Sequence, residues 1–220
     1  MSEFTHGKLS PWGYIIDAQT LPDFINVSEF NLYTGGKFVG DSRIDKNIPS
    51  ATASIRNYCG WHISPELHCG MLYNVRDLRD AFTGPDLIIQ LPATHVTGIV
   101  KILLNASFDA ETGDYDGDAV SDYDLDPNGL LRVYDAGCLD RKSKIFIHYT
   151  AGYTDADMSV IKELTANRVT HAVTNTYGVA SEAAGGVSVS YSATWGGNGS
   201  TALANDSREA LDVYKVKGVF

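Results

Sequence analysis

The sequence predicts an α+β protein, with helices on either side of a small inserted antiparallel β subdomain and an extended arm at each end. Two periodicities and one shift in composition predict this. Apolar residues recur at helical spacing along 41–60 and again along 155–177, as one buried helical face requires. From about Cys69 to Thr150 the rhythm changes to short runs rich in Ile, Val, Leu and Tyr, broken by Gly, Pro, Asp and Asn, which are strand signals. Beyond 178 the chain becomes rich in Gly, Ser and Ala. The expected divisions are an N-terminal arm (1–22), a helical core (23–68 with 151–178), a β insert (69–150) and a C-terminal arm (179–220).

The elements follow in order. Residues 1–22 hold Gly7, Pro11, Gly13 and Pro22 with little periodicity. They read as an arm anchored by Trp12, Tyr14 and Ile15 on its own subunit or a neighbour. Residues 28–35 read as a short helix capped by Ser28, with Phe30, Leu32 and Tyr33 on its apolar side and Gly35-Gly36 ending it. In 41–65, Ile44, Ile48, Thr52, Ile55 and Cys59 mark one helical face, with Asp41 or Ser42 as cap and Gly60 as terminator. Pro49 disagrees with that helix. A proline inside a helix costs about 3 kcal/mol, so the sequence implies either a kink or a helix starting near Ile48. Trp61 and Ile63 are apolar anchors after the turn, and Pro65 stops the helix from resuming.

Strands are expected at 87–91, 99–106, 130–136 and 144–150, with another at 71–75. The stretch 109–129 is dense in aspartate and has no basic residue, so it reads as a solvated mobile loop or hairpin tip. The second long helix is expected to be capped by Asp155 and ended by Gly178, burying Met158, Ile161, Leu164, Thr165, Arg168, Val169, Ala172, Val173 and Thr176. In the C-terminal arm Val187, Val189 and Tyr191 alternate with serines, as in a half-buried strand. A lone strand is not stable, so it needs a sheet edge on another subunit or protein. A short helix capped by Ser207 follows.

The 220 residues suffice for one core, or one core with a subdomain. A net charge of −10 argues against general nucleic-acid binding, while permitting DNA to pass without sticking. Three cysteines make no disulfide framework and read as reduced thiols. No signal peptide and no membrane-spanning run is visible, so a soluble chain without membrane contact, made in the cytoplasm, is expected.

Three chemistries are suggested by residue type and spacing. Cys59, His62, His68 and Cys69 could ligate zinc, but they follow a helix end with Trp61 and Ile63 between them, and structural zinc sites pair ligands across two knuckles. A buried thiol and a helix-terminal histidine fit better. Asp124, Asp126, Asn128 and Gly129 match the first half of a calcium loop, yet the closing position holds Asp135, which is short, and Asp-Pro-Asn-Gly suits a tight turn. His95, His148 and His171 stand beside no obvious nucleophile, and no GxSxG, P-loop or HExxH occurs. Neither enzyme, metal nor cofactor is therefore expected.

The series FINVSEFNLYTGG, DSRIDKNIPSATASIRNYCGWHISP and IHYTAGYTDADMSVIKELTANRV resembles the head–tail connector (adaptor, head-completion) proteins of long-tailed phages. The strongest matches are Ala53–Pro65, then Tyr149–Tyr153, then Gly185–Ser192 followed by a short helix with Tyr214. Together they cover about residues 24–220. The resemblance implies a virion structural protein with a helical-bundle core. It implies a homo-oligomeric ring, commonly of twelve subunits, at the head–tail interface. The ring would sit below the portal protein, extend the DNA channel for passive passage of double-stranded DNA, and meet a stopper or other neck protein. Cys59, Gly60, Trp61, Tyr149, Gly152 and Tyr153 become the junction where the chain leaves and re-enters the helical core. Val187, Val189, Tyr191, Trp195, Leu211 and Tyr214 become the portal-binding set. The insert departs from the small all-helical members, and residues 1–22 have no counterpart. The rivals are a stopper or tail-completion protein, a calcium- or glycan-binding module on the β insert, and a hydrolase using the acidic stretch.

Overall fold

The computed structural model describes residues 7–18, 20–78, 81–137, 139–174, 181–184, 187–190 and 205–216, with backbone alone for 181–190 and 205–206. The class is mixed α+β. The chain forms two compact units. One holds residues up to Leu21, Gly60–Thr154 and the chain from Val216. The other holds Pro22–Cys59 and Asp155–Lys215.

The second unit carries the helices: α1 (Val27–Tyr33), α2 (Ile44–Cys59), α3 (Ser159–Thr174) and α4 (Asn205–Asp212). Ile44, Ile48, Ala51, Thr52, Ile55 and Cys59 of α2 are buried, the face that the spacing predicts. Of these, Ile44, Ile48 and Ala51 form one core cluster with Ile25, Phe30 and, from α3, Ala166, Val169 and Val173. Two buried arginines are held by specific contacts. Arg56 donates to the Pro22 carbonyl at 2.8 Å, and Arg168 to the Ser54 hydroxyl at 2.8 Å.

Several local expectations are corrected here. The cap of α1 is Asn26, whose side chain accepts from the Glu29 amide while Glu29 reaches back to the Asn26 amide, a reciprocal capping box that Ser28 cannot form. Only Phe30 of its apolar residues is buried; Leu32 is 82% exposed. Asp155 does not cap α3. It opens a single 3-10 turn, and its carboxylate pairs with Lys162 at 2.6 Å, which also holds Glu29 at 2.8 Å. Helix α4 starts at Asn205, so Ser207 lies within it. Gly178 and Thr176 lie outside the described residues. Helix α2 runs from Ile44 through Pro49, so the start near Ile48 is not taken. Burial of Ile44 and Ile48 holds the early turns despite the missing Pro49 amide.

The first unit carries the two larger sheets, both antiparallel. Strands β1 (Lys8–Leu9), β2 (Ile15–Ile16), β3 (Leu67–Asn74), β6 (Val96–Asp109), β7 (Asp114–Val120) and β10 (Lys144–Ala151) form a six-stranded sheet in the order β1-β2-β3-β10-β6-β7. Strands β4 (Phe82–Thr83), β5 (Asp86–Gln90), β8 (Tyr123–Leu125) and β9 (Leu130–Val133) form a second sheet in the order β4-β5-β9-β8. In the second sheet Leu87 faces Val133 and Ile89 faces Leu131, giving a small apolar face. The N-terminal aromatics lie on their own chain, where Tyr14 is buried and stacks with Trp12.

The acidic stretch begins as a hairpin tip, between Asp109 and Asp114, but the rest of it is not a loop. It supplies β7 and β8, because β6 is fourteen residues long and its backbone needs a partner. Charge is handled by orientation: Asp114 pairs with Lys101 at 2.9 Å, Asp118 accepts from Asn105 at 2.8 Å, and Asp116 stays exposed. Tyr115 on the alternate position stacks on Phe146, centroids 4.0 Å apart. The strand Val187–Ser190 (β12) is not alone either. It pairs with β11 (Ser181–Ala184), Val187 opposite Ala184.

Replacing Pro49 by Ala restores an amide donor for the Asp45 carbonyl. P49A is expected to stabilise the chain by about 1–3 kcal/mol, read as a higher urea midpoint. An unchanged or lower midpoint would contradict the assignment of Pro49 to the helix interior.

Candidate functional site

The predicted junction is built from two segments of the β unit. Gly60 closes α2 at φ +78, and Trp61, His62 and Ile63 are completely buried directly after it. The Ser64 amide donates to the His62 carbonyl at 2.8 Å, an i to i+2 bond that puts Ile63 at φ +66. This is a γ-turn of the rare positive-φ hand. A β-branched residue tolerates it only when surrounding contacts over-determine it.

Those contacts come from the end of β10. The Tyr153 amide donates to the Ile63 carbonyl at 2.8 Å, and the Gly152 amide to the His95 carbonyl at 3.0 Å. Tyr153 stacks on His95 with centroids 4.4 Å apart and leans on Trp61 at 6.0 Å. Gly152 has φ +131, and a Cβ there would stand 2.3 Å from the Pro65 carbonyl oxygen. Thr97 reinforces the corner, donating to Glu66 at 2.6 Å and within 3.2 Å of the Thr150 carbonyl.

The N-terminal segment closes the same site. Tyr14 lies 2.8 Å from His62 Nδ1 and accepts from the His62 amide at 3.1 Å. His62 Nε2 lies 3.1 Å from the Ala151 carbonyl. A carbonyl only accepts, so Nε2 carries the proton and Nδ1 receives the Tyr14 hydroxyl. This network ties residues 14, 62 and 151 together by neutral hydrogen bonds, and its donors and acceptors serve cohesion. Tyr149, also in the predicted junction, is fully buried in β10, and burial pushes its phenol well above the usual range. Cys59, the sixth junction residue, ends α2, and its thiol reaches the Leu211 carbonyl at 3.8 Å.

The other candidate clusters are dispersed into separate contacts. Among the described residues no three His, Cys, Asp or Glu side chains gather as a metal site. Burial pushes both the Cys59 and the Cys69 thiol up to about 12, leaving no thiolate at neutral pH. The calcium-like segment is the turn between β8 and β9: Asp126 accepts from the Asn128 amide and side chain at 2.7 Å, and the Gly129 amide donates to the Asp126 carbonyl. His148 is buried against His68, Nε2 to Nδ1 at 3.3 Å. Burial first, then the His68 and Lys101 charges, pull His148 down to about 4. Sequence reasoning missed this pair. The two sit two residues off direct cross-strand register, on one face of the β3–β10 pair, with Thr150 facing His68 and His148 facing Gly70, and that register is not readable from the sequence.

The portal-binding set is placed unevenly. Val187 and Val189 lie on β12, opposite Ala184 and Glu182. Tyr191 and Trp195 lie outside the described residues. Leu211 is fully buried in α4, beside the Tyr58–Asp212 hydrogen bond of 2.7 Å, and Tyr214 is half-buried in the turn after it. Leu211 therefore belongs to the interior of its own unit. Among the described residues no helix is long and apolar enough to cross a membrane.

No protein-family model and no curated protein matches the sequence. Among solved structures, the chain is similar to one from the neck of an empty GTA particle computed with C6 symmetry, at 14% identity and TM-score 0.49 over 92% of this chain and 95% of that one. It is similar to one from the virion of the native gene transfer agent (GTA) particle, at 14% identity and TM-score 0.48 over 89% and 91%. A chain from the neck of the native GTA particle computed with C12 symmetry gives 13% identity and TM-score 0.44 over 92% and 98%.

Two measurements check this site. Gly152→Ala forces a Cβ into the Pro65 backbone at a φ that only glycine adopts readily. We expect a loss of about 3 kcal/mol or more, seen as a drop in urea midpoint. A wild-type midpoint would show that the close approach relaxes freely. His148 binds its proton more weakly in the folded than in the unfolded chain. Its contribution is therefore complete above about 6.5 and is lost as pH falls towards 4, by about 3 kcal/mol in all. The carboxylates held below their usual range, such as Asp41 at about 2, lose their contributions at lower pH. H148N should flatten the stability profile between about pH 6.5 and 4; an unchanged slope would reassign it.

Proposed function

We propose that this chain is a virion structural protein of a phage-type neck, a head–tail adaptor. In this reading it joins a homo-oligomeric ring below the portal, extends the DNA channel and presents a surface to a stopper or other neck protein. The observation that carries the reading is the order of three sequence blocks: Ala53–Pro65, Tyr149–Tyr153 and Gly185–Ser192. The hydrogen bond between Tyr153 and Ile63 and the packing of Gly152 on Pro65 support it, because they give the first two blocks a joint structural task. The β11–β12 hairpin supports a docking arm. Two strands alone are marginal in water, and a third from a partner's sheet edge completes them. A net charge of −10 supports a lining that lets phosphate backbone slide without capture. The chemistry of the junction is cohesive, which supports a structural role over an enzymatic one.

Electron microscopy of the chain mixed with its portal tests the reading; a ring added beneath the portal is expected. Removing 179–220 entirely would strip Leu211 from the interior of its unit, so the arm is tested more narrowly. Residues 181–190 are replaced by a Gly/Ser run of equal length, α4 being retained. This variant should keep the wild-type circular dichroism and lose portal binding. Undiminished binding removes the arm from the interface, and a portal that gains no ring removes the adaptor reading.

A further inference from the structure

The β unit carries a knob and a hole that match in shape, polarity and charge. The knob is the tip of the β6–β7 hairpin. Phe108 is 60% exposed there, touching Tyr115 edge-on at 5.3 Å. Asp109 and Glu111 follow it in the chain and Asp116 is exposed on the pairing strand opposite Ser107, with no basic residue anywhere in 109–129. The tip is built rigidly: the Gly113 amide donates to the Asp109 carbonyl at 2.9 Å, and the Asp109 carboxylate accepts from the Glu111 amide at 2.9 Å and the Thr112 hydroxyl at 3.0 Å. A preformed loop gives up little entropy on docking.

The hole is a hollow of about 350 Å³. Its lining includes the apolar Val75, Phe82 and Leu139 and the exposed Arg76 and Arg141. Arg76 holds its exposed neighbour Asp77 at 3.1 Å, a pair worth little in water. Arg141 begins the chain's densest basic run, Arg141-Lys142-Ser143-Lys144, whose three charged residues are exposed. A phenyl ring fits this volume, and carboxylates beside it would meet the guanidinium groups. A buried aromatic anchor is a usual energetic centre of a protein interface, and complementary charges beside it add specificity.

We propose that the β6–β7 tip of one copy of this chain, led by Phe108 and bearing the exposed Glu111 and Asp116, seats in the Arg76–Arg141 hollow of a second copy. The occupant is a second copy because the chain itself carries the complementary segment, with the aromatic and the opposite charge that the hollow selects. Knob and hole are different surfaces, so the contact is head-to-tail and repeats around a closed ring or along a fibre. The inference names the contact between copies in the neck reading, and rests on that reading for ring closure.

Sedimentation equilibrium of the full chain tests it, at about 0.05 M and about 0.5 M salt. The wild type should self-associate, more weakly at the higher salt. F108A should weaken association about thirtyfold, the loss of an anchor residue, with unchanged circular dichroism because Phe108 is largely exposed. R76E/R141E and E111R/D116R should each abolish association alone. Mixed together they should co-assemble in alternation, because the native tip of the first variant fits the native hollow of the second and the two reversed surfaces fit each other, and the four changes in one chain should restore self-association. A monomeric wild type, variants that associate like the wild type, or a fourfold variant that stays monomeric would each overturn the contact. If portal-bound rings form while these charges do not matter, the contact fails and the neck reading stands. Charge-dependent association without portal binding is the reverse.

Discussion

The β unit depends on one close approach between backbones. Gly152 lies so near Pro65 that no side chain fits between them, and the Tyr153 amide is bonded to Ile63 directly beyond. That contact fixes where β10 ends relative to the turn that follows α2. It also holds Ile63 in a conformation that a β-branched residue leaves when unconstrained. Tyr14 and His62 then seal the site from the N-terminal side, with each polar atom of the network given a partner. The result is a rigid corner of aromatic rings around a few neutral hydrogen bonds.

Charge is distributed by geometry more than by composition. The acidic stretch stays ordered because its aspartates either find Lys101 and Asn105 or face water, while Tyr115 anchors the same strand to Phe146. An acidic edge strand also resists pairing with its own kind. The same charges become specific only where a basic hollow of the right size is offered. In the helical unit the economy differs. Arg56 and Arg168 are buried, each giving a hydrogen bond to a neutral acceptor, and Lys162 bridges Glu29 and Asp155 to draw the starts of α1 and α3 together.

Much of this was legible beforehand. The buried face of α2 follows from residue spacing, since Ile44, Ile48, Thr52, Ile55 and Cys59 lie along one stripe of any helix through them. The core strands at 87–90, 99–106, 130–133 and 144–150 follow from their Ile, Val and Leu content, because those residues cannot stay in water in such runs. Gly60 as terminator and Asp126–Gly129 as a turn follow from local angles that few residues adopt.

Other features required the tertiary structure. Nothing local makes an Asp-rich segment a strand; the free edge of β6 does. Nothing local keeps Pro49 inside α2; burial of Ile44 and Ile48 does. Nothing local pairs Val187–Ser190 with Ser181–Ala184, whose strand propensity is weak. The His68–His148 contact and the Tyr14–His62–Ala151 network join residues far apart in sequence, so their meeting depends on sheet order. Sequence by itself determined which residues must be buried and where the backbone must turn, since both follow from side-chain chemistry within a few neighbours. Only the fold decided which strands pair, which charges are neutralised and which backbones touch, because those depend on contacts across the whole chain.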